Sequence, residues 1–162
     1  YKPIMYLIKK GIILGYSDGT FRPDEACTRQ QFVTMLWKMA NKPKANAKIR
    51  FSDVNSKMSS YKAIRWAVEM KLIYGYKDGT FKPKAPLTRQ QAAMILWRLK
   101  GKILEKKVKP YLDVDSSMAA YEAINWGAQW GIIQGYSDGT FRPTEVCRRK
   151  HAATFLYRLM KK

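Results

Sequence analysis

The sequence predicts an all-α protein, mainly helical with ordered loops, built from three tandem repeats of one unit. Two observations carry this prediction. A nonapeptide, Gly-Tyr-x-Asp-Gly-Thr-Phe-(Arg/Lys)-Pro, begins at Gly15, Gly75 and Gly135, so its occurrences start 60 residues apart without insertion or deletion. Apolar residues recur at helical spacing on both sides of it. A fixed period of this length indicates that each repeat is one structural unit.

The nonapeptide is predicted to form a rigid loop between two helices. Its first glycine suits a helix end that must turn left-handed. Asp-Gly then favours a turn, because glycine reaches positive φ at low cost and aspartate bonds its own backbone. The tyrosine and phenylalanine on either side are expected to anchor the turn to a core. Asp18, Asp78 and Asp138 lack the successive oxygen ligands of a calcium loop, so turn formation is favoured over metal binding.

A first helix is predicted to begin at Tyr1, Tyr61 and Tyr121 and to end at the Gly-Tyr of the loop. In the middle repeat, Ile64, Ala67, Val68 and Leu72 lie on one apolar stripe. Pro3 lies in the first turn, where a helix tolerates it.

A second helix is predicted after Thr28 and Thr88, each followed by Gln three residues later. This spacing predicts a capping box, in which each side chain bonds the other residue's free backbone N–H. Repeat 3 has Arg148 and His151 at these positions, so we expect both halves of the box to be lost there. Aromatic residues on these helices are expected in the core, with sugar stacking as the alternative (Trp37, Trp66, Trp97, Trp126).

Charge is the unusual feature of the composition: 31 Lys and Arg against 12 Asp and Glu give a net charge of +19 over 162 residues. Such a surface attracts polyanions, and it is also typical of a solvated, soluble face. The sequence contains no run of 18 apolar residues, so it predicts no membrane-spanning segment. No signal peptide is visible, and Tyr1 is not an initiator Met, so we expect a piece of a longer chain.

The two cysteines, Cys27 and Cys147, occupy matching positions, and repeat 2 has Leu87 there. This pattern favours a small apolar pocket with packed thiols. A disulfide is the open alternative, less favoured because equivalent points in a three-fold array usually lie far apart. A Cys147–His151 nucleophile pair would need an orienting third group, and zinc would need further ligands. We therefore predict no enzyme and no cofactor.

Three segments together resemble the S-layer homology domain family of bacterial surface proteins. They are the opening Phe51-Ser52-Asp53-Val54, the stretch from Gly131 to Pro143, and Thr88-Arg89-Gln90-Gln91, which is similar to the family's Thr-Arg-Ala-Glu motif. The resemblance covers nearly the whole chain. The expected boundaries are 1–46 for an N-terminally incomplete repeat 1, 47–107 for repeat 2 and 108–162 for repeat 3.

The resemblance implies a pseudo-three-fold, three-pronged spindle with a central helix bundle, monomeric and with an internal pseudo-trimer. Its grooves would bind a secondary cell-wall polysaccharide, typically through a pyruvylated amino sugar. The implied ligand contact is the motif arginine (Arg29, Arg89, Arg149). A helix N-terminus would add free N–H groups for an anion. The alternative for this arginine is an ion pair with a neighbouring Asp that holds two repeats together.

Other candidate ligand residues are Asp53 and Asp113, for which capping or pairing with the motif arginine is the alternative. The backbone at Gly15, Gly75 and Gly135 is expected to line the groove, with help from Arg22, Lys82 and Arg142. Gln31 and Gln91 replace the family's Glu, which makes the sites more attractive to anions. Repeat 3 departs furthest from the pattern.

The resulting functional prediction is an extracellular, non-catalytic module that anchors its parent protein to the bacterial cell wall or surface layer. The expected partner is an anionic cell-wall glycan, and the parent an S-layer protein, a surface enzyme or a phage lytic enzyme. The alternative is nucleic-acid or other polyanion binding through the basic surface. No helix-turn-helix, zinc-finger or RNP motif supports that alternative.

Overall fold

The computed structural model describes residues 1–102 and 111–162. The second connector and the boundary placed after residue 107 fall largely outside these residues. Across the described ranges the chain forms six helices and no extended sheet, which confirms the mainly helical class. The helices, in chain order, are α1 (Lys2–Lys9), α2 (Arg29–Met39), α3 (Tyr61–Glu69), α4 (Arg89–Leu99), α5 (Tyr121–Gln129) and α6 (Arg149–Met160).

The first helix of each repeat ends earlier than the sequence predicted. Left-handed residues follow at Gly11, Lys71 and Gly131, with φ between 55° and 68°. They turn the chain out of the helix before Ile12-Ile13 and their equivalents, which are buried. The prediction that each helix runs to the Gly-Tyr of the loop was therefore wrong.

Gly15, Gly75 and Gly135 are required for close approach instead of for a left-handed turn, which corrects the role assigned to them. None of the three has a positive φ. A Cβ at Gly15 would lie 2.8 Å from the carbonyl oxygen of Thr20, and one at Gly135 would overlap the Thr140 carbonyl and the Tyr111 ring. The loop closes tightly here because Tyr16 N donates to Thr20 O at 2.7 Å.

The Asp-Gly turn inside the nonapeptide forms as predicted. Asp18 Oδ1 accepts hydrogen bonds from Thr20 N at 2.9 Å and from Thr20 Oγ1. These bonds hold the pKa of Asp18 well below its usual range, with a further contribution from Arg22. Gly19 has φ +80°, the left-handed value that glycine reaches without strain. The same turn recurs in the other two repeats.

The second helices begin as the sequence predicted in repeats 1 and 2. Thr28 Oγ1 accepts from Gln31 N, and Thr28 N donates to Gln31 Oε1 at 3.0 Å. In repeat 3 the prediction was half wrong, because Arg148 N donates to His151 Nδ1 at 3.4 Å. The other half is absent for a chemical reason: a guanidinium has no acceptor.

The repeats contact one another in cyclic order. Residues just before each second helix form a closed ring of backbone hydrogen bonds: Cys27 N to Cys147 O (2.8 Å), Cys147 N to Leu87 O (2.7 Å) and Leu87 N to Cys27 O (2.9 Å). All three side chains are buried. The cysteines are free, as favoured. The two residues are nevertheless joined by a backbone hydrogen bond, so the argument that they lie too far apart for a disulfide was wrong.

Helix packing follows the same order. The second helix of each repeat packs on the first helix of the next, in the pairs α2–α3 and α4–α5, and α6 packs on α1 to close the ring. The helices bury an apolar core that includes Trp66 and Trp126, as expected for these aromatics. A three-pronged spindle with a central helix bundle remains a prediction.

Candidate binding grooves

The motif arginine of each repeat reaches into the loop of the next repeat. Arg29 Nε donates to Phe81 O at 2.9 Å and its Nη2 donates to Tyr74 O at 2.7 Å. Arg89 makes the equivalent bonds to Phe141 O and Gln134 O. The residues are 4% and 2% exposed. The motif arginine is therefore an inter-repeat clamp that holds backbone carbonyls, and it does not form the Asp pair that the sequence left open.

Arg149 makes the same contact across the junction between the last and first repeats. Its Nε donates to Phe21 O at 2.9 Å and its Nη2 to Leu14 O at 3.2 Å. Its guanidinium carbon lies 4.9 Å from the Tyr16 ring centroid. All three predicted arginines thus occupy equivalent places, and each faces the tyrosine of the neighbouring nonapeptide.

The N–H groups at the start of each second helix are already engaged. Arg29 N donates to Ala85 O, Gln30 N donates to Pro83 O, and the third goes to the Thr28 cap. The same backbone bonds recur at α4 and α6. The expectation that free helix-terminal amides receive an anion is therefore wrong for the first two amides of each second helix, since the neighbouring repeat uses them.

Beside each clamp lies an open groove between repeats. The groove along α2 has a volume of about 220 Å³, the one along α4 about 330 Å³ and the one along α6 about 170 Å³. We call them the first, second and third grooves. Each contains the clamping arginine of the preceding repeat and the Gly-Tyr of its own loop. These residues are Arg149, Gly15 and Tyr16 in the first groove, Arg29, Gly75 and Tyr76 in the second, and Arg89, Gly135 and Tyr136 in the third.

A second cation in each groove was missed by the sequence analysis. Lys38, Arg98 and Arg158 line the first, second and third grooves, nine residues after the motif arginine of their own repeats. Burial lowers the pKa of Lys38, and the neighbouring Lys42 lowers it further. The 60-residue period contained this signal, because a basic residue recurs at the same position in every repeat.

The tyrosine of the nonapeptide lines the groove while the phenylalanine enters the core. Phe81 and Phe141 are fully buried, whereas Tyr76 is 40% exposed. The prediction that both aromatics anchor the turn was thus right only for the phenylalanine. Arg22, Lys82 and Arg142 lie outside the groove linings and pair with the aspartate of their own turn.

Asp53 and Asp113 do not lie in the grooves. The carboxylate of Asp53 accepts from Phe81 N and Lys82 N, both at 2.8 Å. Asp113 accepts from Phe141 N and Arg142 N, both at 2.7 Å. Each aspartate therefore fixes the nonapeptide backbone of its own repeat, next to the carbonyl that the arginine clamp uses.

The third groove differs from the others because it contains His151 in place of glutamine. Burial lowers the pKa of His151 to about 4, with help from the positive charges of Arg89 and Lys150. Neutral His151 can therefore accept the Arg148 N–H at neutral pH. Burial also raises the pKa of Cys147, so this thiol stays protonated and does not form the nucleophile of a Cys–His pair.

The pattern of the S-layer homology domain matches residues 1–33, 50–93 and 110–153, and the chain belongs to this family. A cellulosome-anchoring protein of Acetivibrio thermocellus is 30% identical over 91% of the chain and 35% of its own length. An endoglucanase of a Bacillus species and an S-layer protein of Bacillus licheniformis are each 29% identical, over 95% and 94% of the chain.

The chain spans about a third or less of these relatives: 35%, 17% and 18% of their lengths. The family and these relatives support a cell-surface anchoring module. Within the described part of the chain, no helix has the length and apolar character needed to cross a bilayer.

Proposed function

We propose that the chain is a non-catalytic anchoring module whose grooves bind an acidic secondary cell-wall polysaccharide at the bacterial surface. The observation that carries this proposal is the recurrence of two cationic side chains and a Gly-Tyr backbone in a groove at every repeat boundary. Three similar grooves on one rigid ring suit a polymer that carries the same acidic group many times.

The chemistry of the grooves suits a carboxylate on a sugar, such as the pyruvyl group of a pyruvylated amino sugar. The clamping arginine uses Nε and Nη2 for the neighbouring repeat, and a guanidinium has five N–H donors. The remaining donors and the second cation provide charge-assisted bonds for a carboxylate. Gly75 and its equivalents also line the grooves, where their backbone polar groups lie beside these cations.

The second groove offers the best surface for the apolar face of a sugar. Tyr74 is 55% exposed and lies beside Arg98, whose guanidinium carbon is 5.1 Å from the ring centroid. Met94, Ala119 and Ala120 complete this side of the groove. The corresponding residues in the first groove include Thr34, Ser59 and Ser60, which are polar. We therefore expect the second groove to contribute most of the affinity for an acetylated or methyl-bearing sugar.

Several grooves on one monomeric ring would bind a polymer-coated wall with avidity, since each further contact becomes intramolecular. The net charge of +19 would add long-range attraction. The parent chain is proposed to be an S-layer protein, a surface enzyme or a phage lytic enzyme that uses this module for attachment.

The test is a pull-down with purified bacterial cell walls, before and after chemical removal of the wall polysaccharide. The groove variant is K38Q/R98Q/R158Q, because the clamping arginines also hold the repeats together. We expect this variant to lose at least about tenfold in affinity for intact walls, as each lost charge-assisted bond costs about 1.5–3 kcal/mol. A pyruvylated disaccharide should compete, and its unpyruvylated counterpart should not.

The matched control is K9Q/K57Q/K77S, which removes the same three charges from exposed positions outside the grooves. It should bind intact walls nearly as the parent does at physiological salt. Equal binding to stripped walls would contradict the glycan proposal. If the two variants lost equal affinity for intact walls, and the protein also bound DNA in a gel-shift assay, the polyanion alternative would be favoured.

A further inference from the structure

We propose that a pocket at the first connector is a separate binding site for a phosphorylated sugar. The pocket has a volume of about 480 Å³ and shares no lining residue with the three grooves. We call it the connector pocket. Its lining residues are Trp37, Lys42, Pro43, Lys44, Ala45, Asn46, Lys62 and Arg65.

The connector pocket is held in shape by bonds from both sides. Trp37, near the end of α2, donates its indole N–H to Pro43 O at 2.9 Å. Glu69 Oε2 on α3 accepts from Asn46 N at 2.7 Å and from Ala47 N at 2.6 Å. Arg65 Nε donates to Ala47 O at 2.9 Å. The connector is therefore fastened to α2 and to α3, and its walls exist before any ligand arrives.

Four cations converge on this pocket: Lys42, Lys44, Lys62 and Arg65. No ion pair among residues 1–102 and 111–162 involves any of them. Glu69 is the neighbouring carboxylate, and it is already bonded to two backbone N–H groups. Four lysine and arginine charges against one glutamate leave a local excess of positive charge.

A phosphate group matches this excess better than a single carboxylate does. A phosphomonoester carries a charge of about −1.5 to −2 at neutral pH and offers three acceptor oxygens. Lysines bind such a group as point charges, and the free N–H groups of Arg65 can bond two of its oxygens. Trp37 supplies an aromatic surface of the kind on which a sugar ring packs. The volume accommodates a sugar together with its phosphate.

The chain contains its own contrast to this site. At the equivalent positions of the third repeat, Glu122 replaces Lys62 and Asn125 replaces Arg65. A conversion of two cations into one anion and one amide removes the electrostatic basis for phosphate binding. This pair of helix cations is therefore particular to α3, whereas the groove residues recur at every boundary.

The experiment is an NMR and calorimetric titration of the 162-residue protein with glucose 6-phosphate at physiological salt, beside inorganic phosphate and glucuronate. We expect glucose 6-phosphate to shift the amides of Lys42, Lys44 and Asn46 and the indole N–H of Trp37. The variant K44S/K62E should weaken this binding at least about tenfold, since both side chains are exposed and hold no described structural bond.

The matched control is K57E/K77S, which changes the net charge by the same amount at exposed sites outside the pocket. It should change the glucose 6-phosphate dissociation constant less than about twofold. Equal weakening in both variants would overturn the proposal in favour of diffuse charge attraction. Inorganic phosphate or glucuronate binding as tightly as glucose 6-phosphate would overturn the sugar-phosphate assignment. Neither variant touches a groove residue, so this test is independent of the wall-binding proposal.

Discussion

At the scale of single residues, the side chain of Arg89 leaves its own repeat and ends against two carbonyl oxygens of the next one. The resemblance to the family selected this arginine, and its charge and its place at a helix start supported that choice. The structure adds that most of its surface is buried and that two of its donors serve the fold. An alanine substitution here would change folding and binding together. The hydrogen bonds of Arg98 to Leu72 O and of Arg158 to the Gln134 side chain stay within one repeat, so these second cations are the better probes of ligand binding.

The first prediction at this scale concerns the glycine that opens the nonapeptide. Gly135→Ala would push a Cβ into both the Thr140 carbonyl and the Tyr111 ring, whereas Gly15→Ala meets only the Thr20 carbonyl. We expect Gly135→Ala to lower the free energy of unfolding by about 1–3 kcal/mol, as overpacking does. Gly15→Ala should cost clearly less. Urea denaturation followed by circular dichroism measures both.

The pair of substitutions also separates two explanations of this glycine. If its role were a left-handed φ, the two alanine variants would be equally destabilised, because the backbone is equivalent in the two loops. Equal losses would therefore count against the close-approach explanation.

At the scale of elements, the first helices were predicted correctly in position but not in length. Helical periodicity continues through Ile12, Leu72 and Ile132, because these residues still point into the core after the helix has ended. Lys71 takes the left-handed turn that Gly11 and Gly131 take in the other repeats, with φ 55°. Gly11 and Gly131 mark this helix end in the sequence of the two outer repeats, but the apolar periodicity that continues beyond them favoured a longer helix.

The cap of α6 gives the second prediction. His151 has a folded-state pKa of about 4 against an ordinary value of 6.5, chiefly because it is partly buried. Between these values the unfolded chain binds the extra proton and the folded chain does not. Stability is therefore fully present above about pH 6.5 and is lost as the pH falls towards 4. Protonation would also abolish the acceptor for Arg148 N.

His151→Gln should remove this pH dependence, because Gln31 and Gln91 perform the same capping role without titrating. We expect the free energy of unfolding of this variant to be nearly constant from pH 6.5 to 4.5. His151→Ala should be equally flat but less stable, since it lacks the acceptor. His151 is the only histidine of the chain. If the free energy of unfolding of His151→Gln fell with pH as steeply as that of the parent, the pH dependence would be due to carboxylates and not to His151.

At the scale of the whole molecule, the three repeats form a closed ring instead of an open array. The last helix, α6, packs on the first, α1, and Arg149 reaches the loop of repeat 1 across 128 residues of sequence. In an open array each repeat contacts only its sequence neighbours. Here every repeat has two neighbours, so the fold is expected to unfold as one unit.

The third prediction tests ring closure. Arg149→Ala and Arg89→Ala should each lower the free energy of unfolding by about 2–4 kcal/mol, because each leaves two carbonyls without their donor. Both variants should unfold in a single urea transition, and their free energy of unfolding should depend on urea concentration as steeply as that of the parent. Arg50→Ala, at an exposed position of the first connector, serves as the control and should stay within about 0.5 kcal/mol.

An open array would give a different result. There, the contact between the last and first repeats would not contribute, and Arg149→Ala would behave like Arg50→Ala. A second transition in Arg149→Ala alone would likewise show that the ring is not one cooperative unit.

The sequence by itself determined the family, the helical class, the Asp-Gly turns and the capping boxes, because each depends on residues close together along the chain. The period also located the motif arginine in every repeat. Only the tertiary structure decided what these residues contact: that the helix-start amides are already bonded, that Asp53 holds a loop, and that Lys38, Arg98 and Arg158 enter the grooves. These facts depend on neighbours from another repeat, and a periodic sequence does not state which repeat lies beside which.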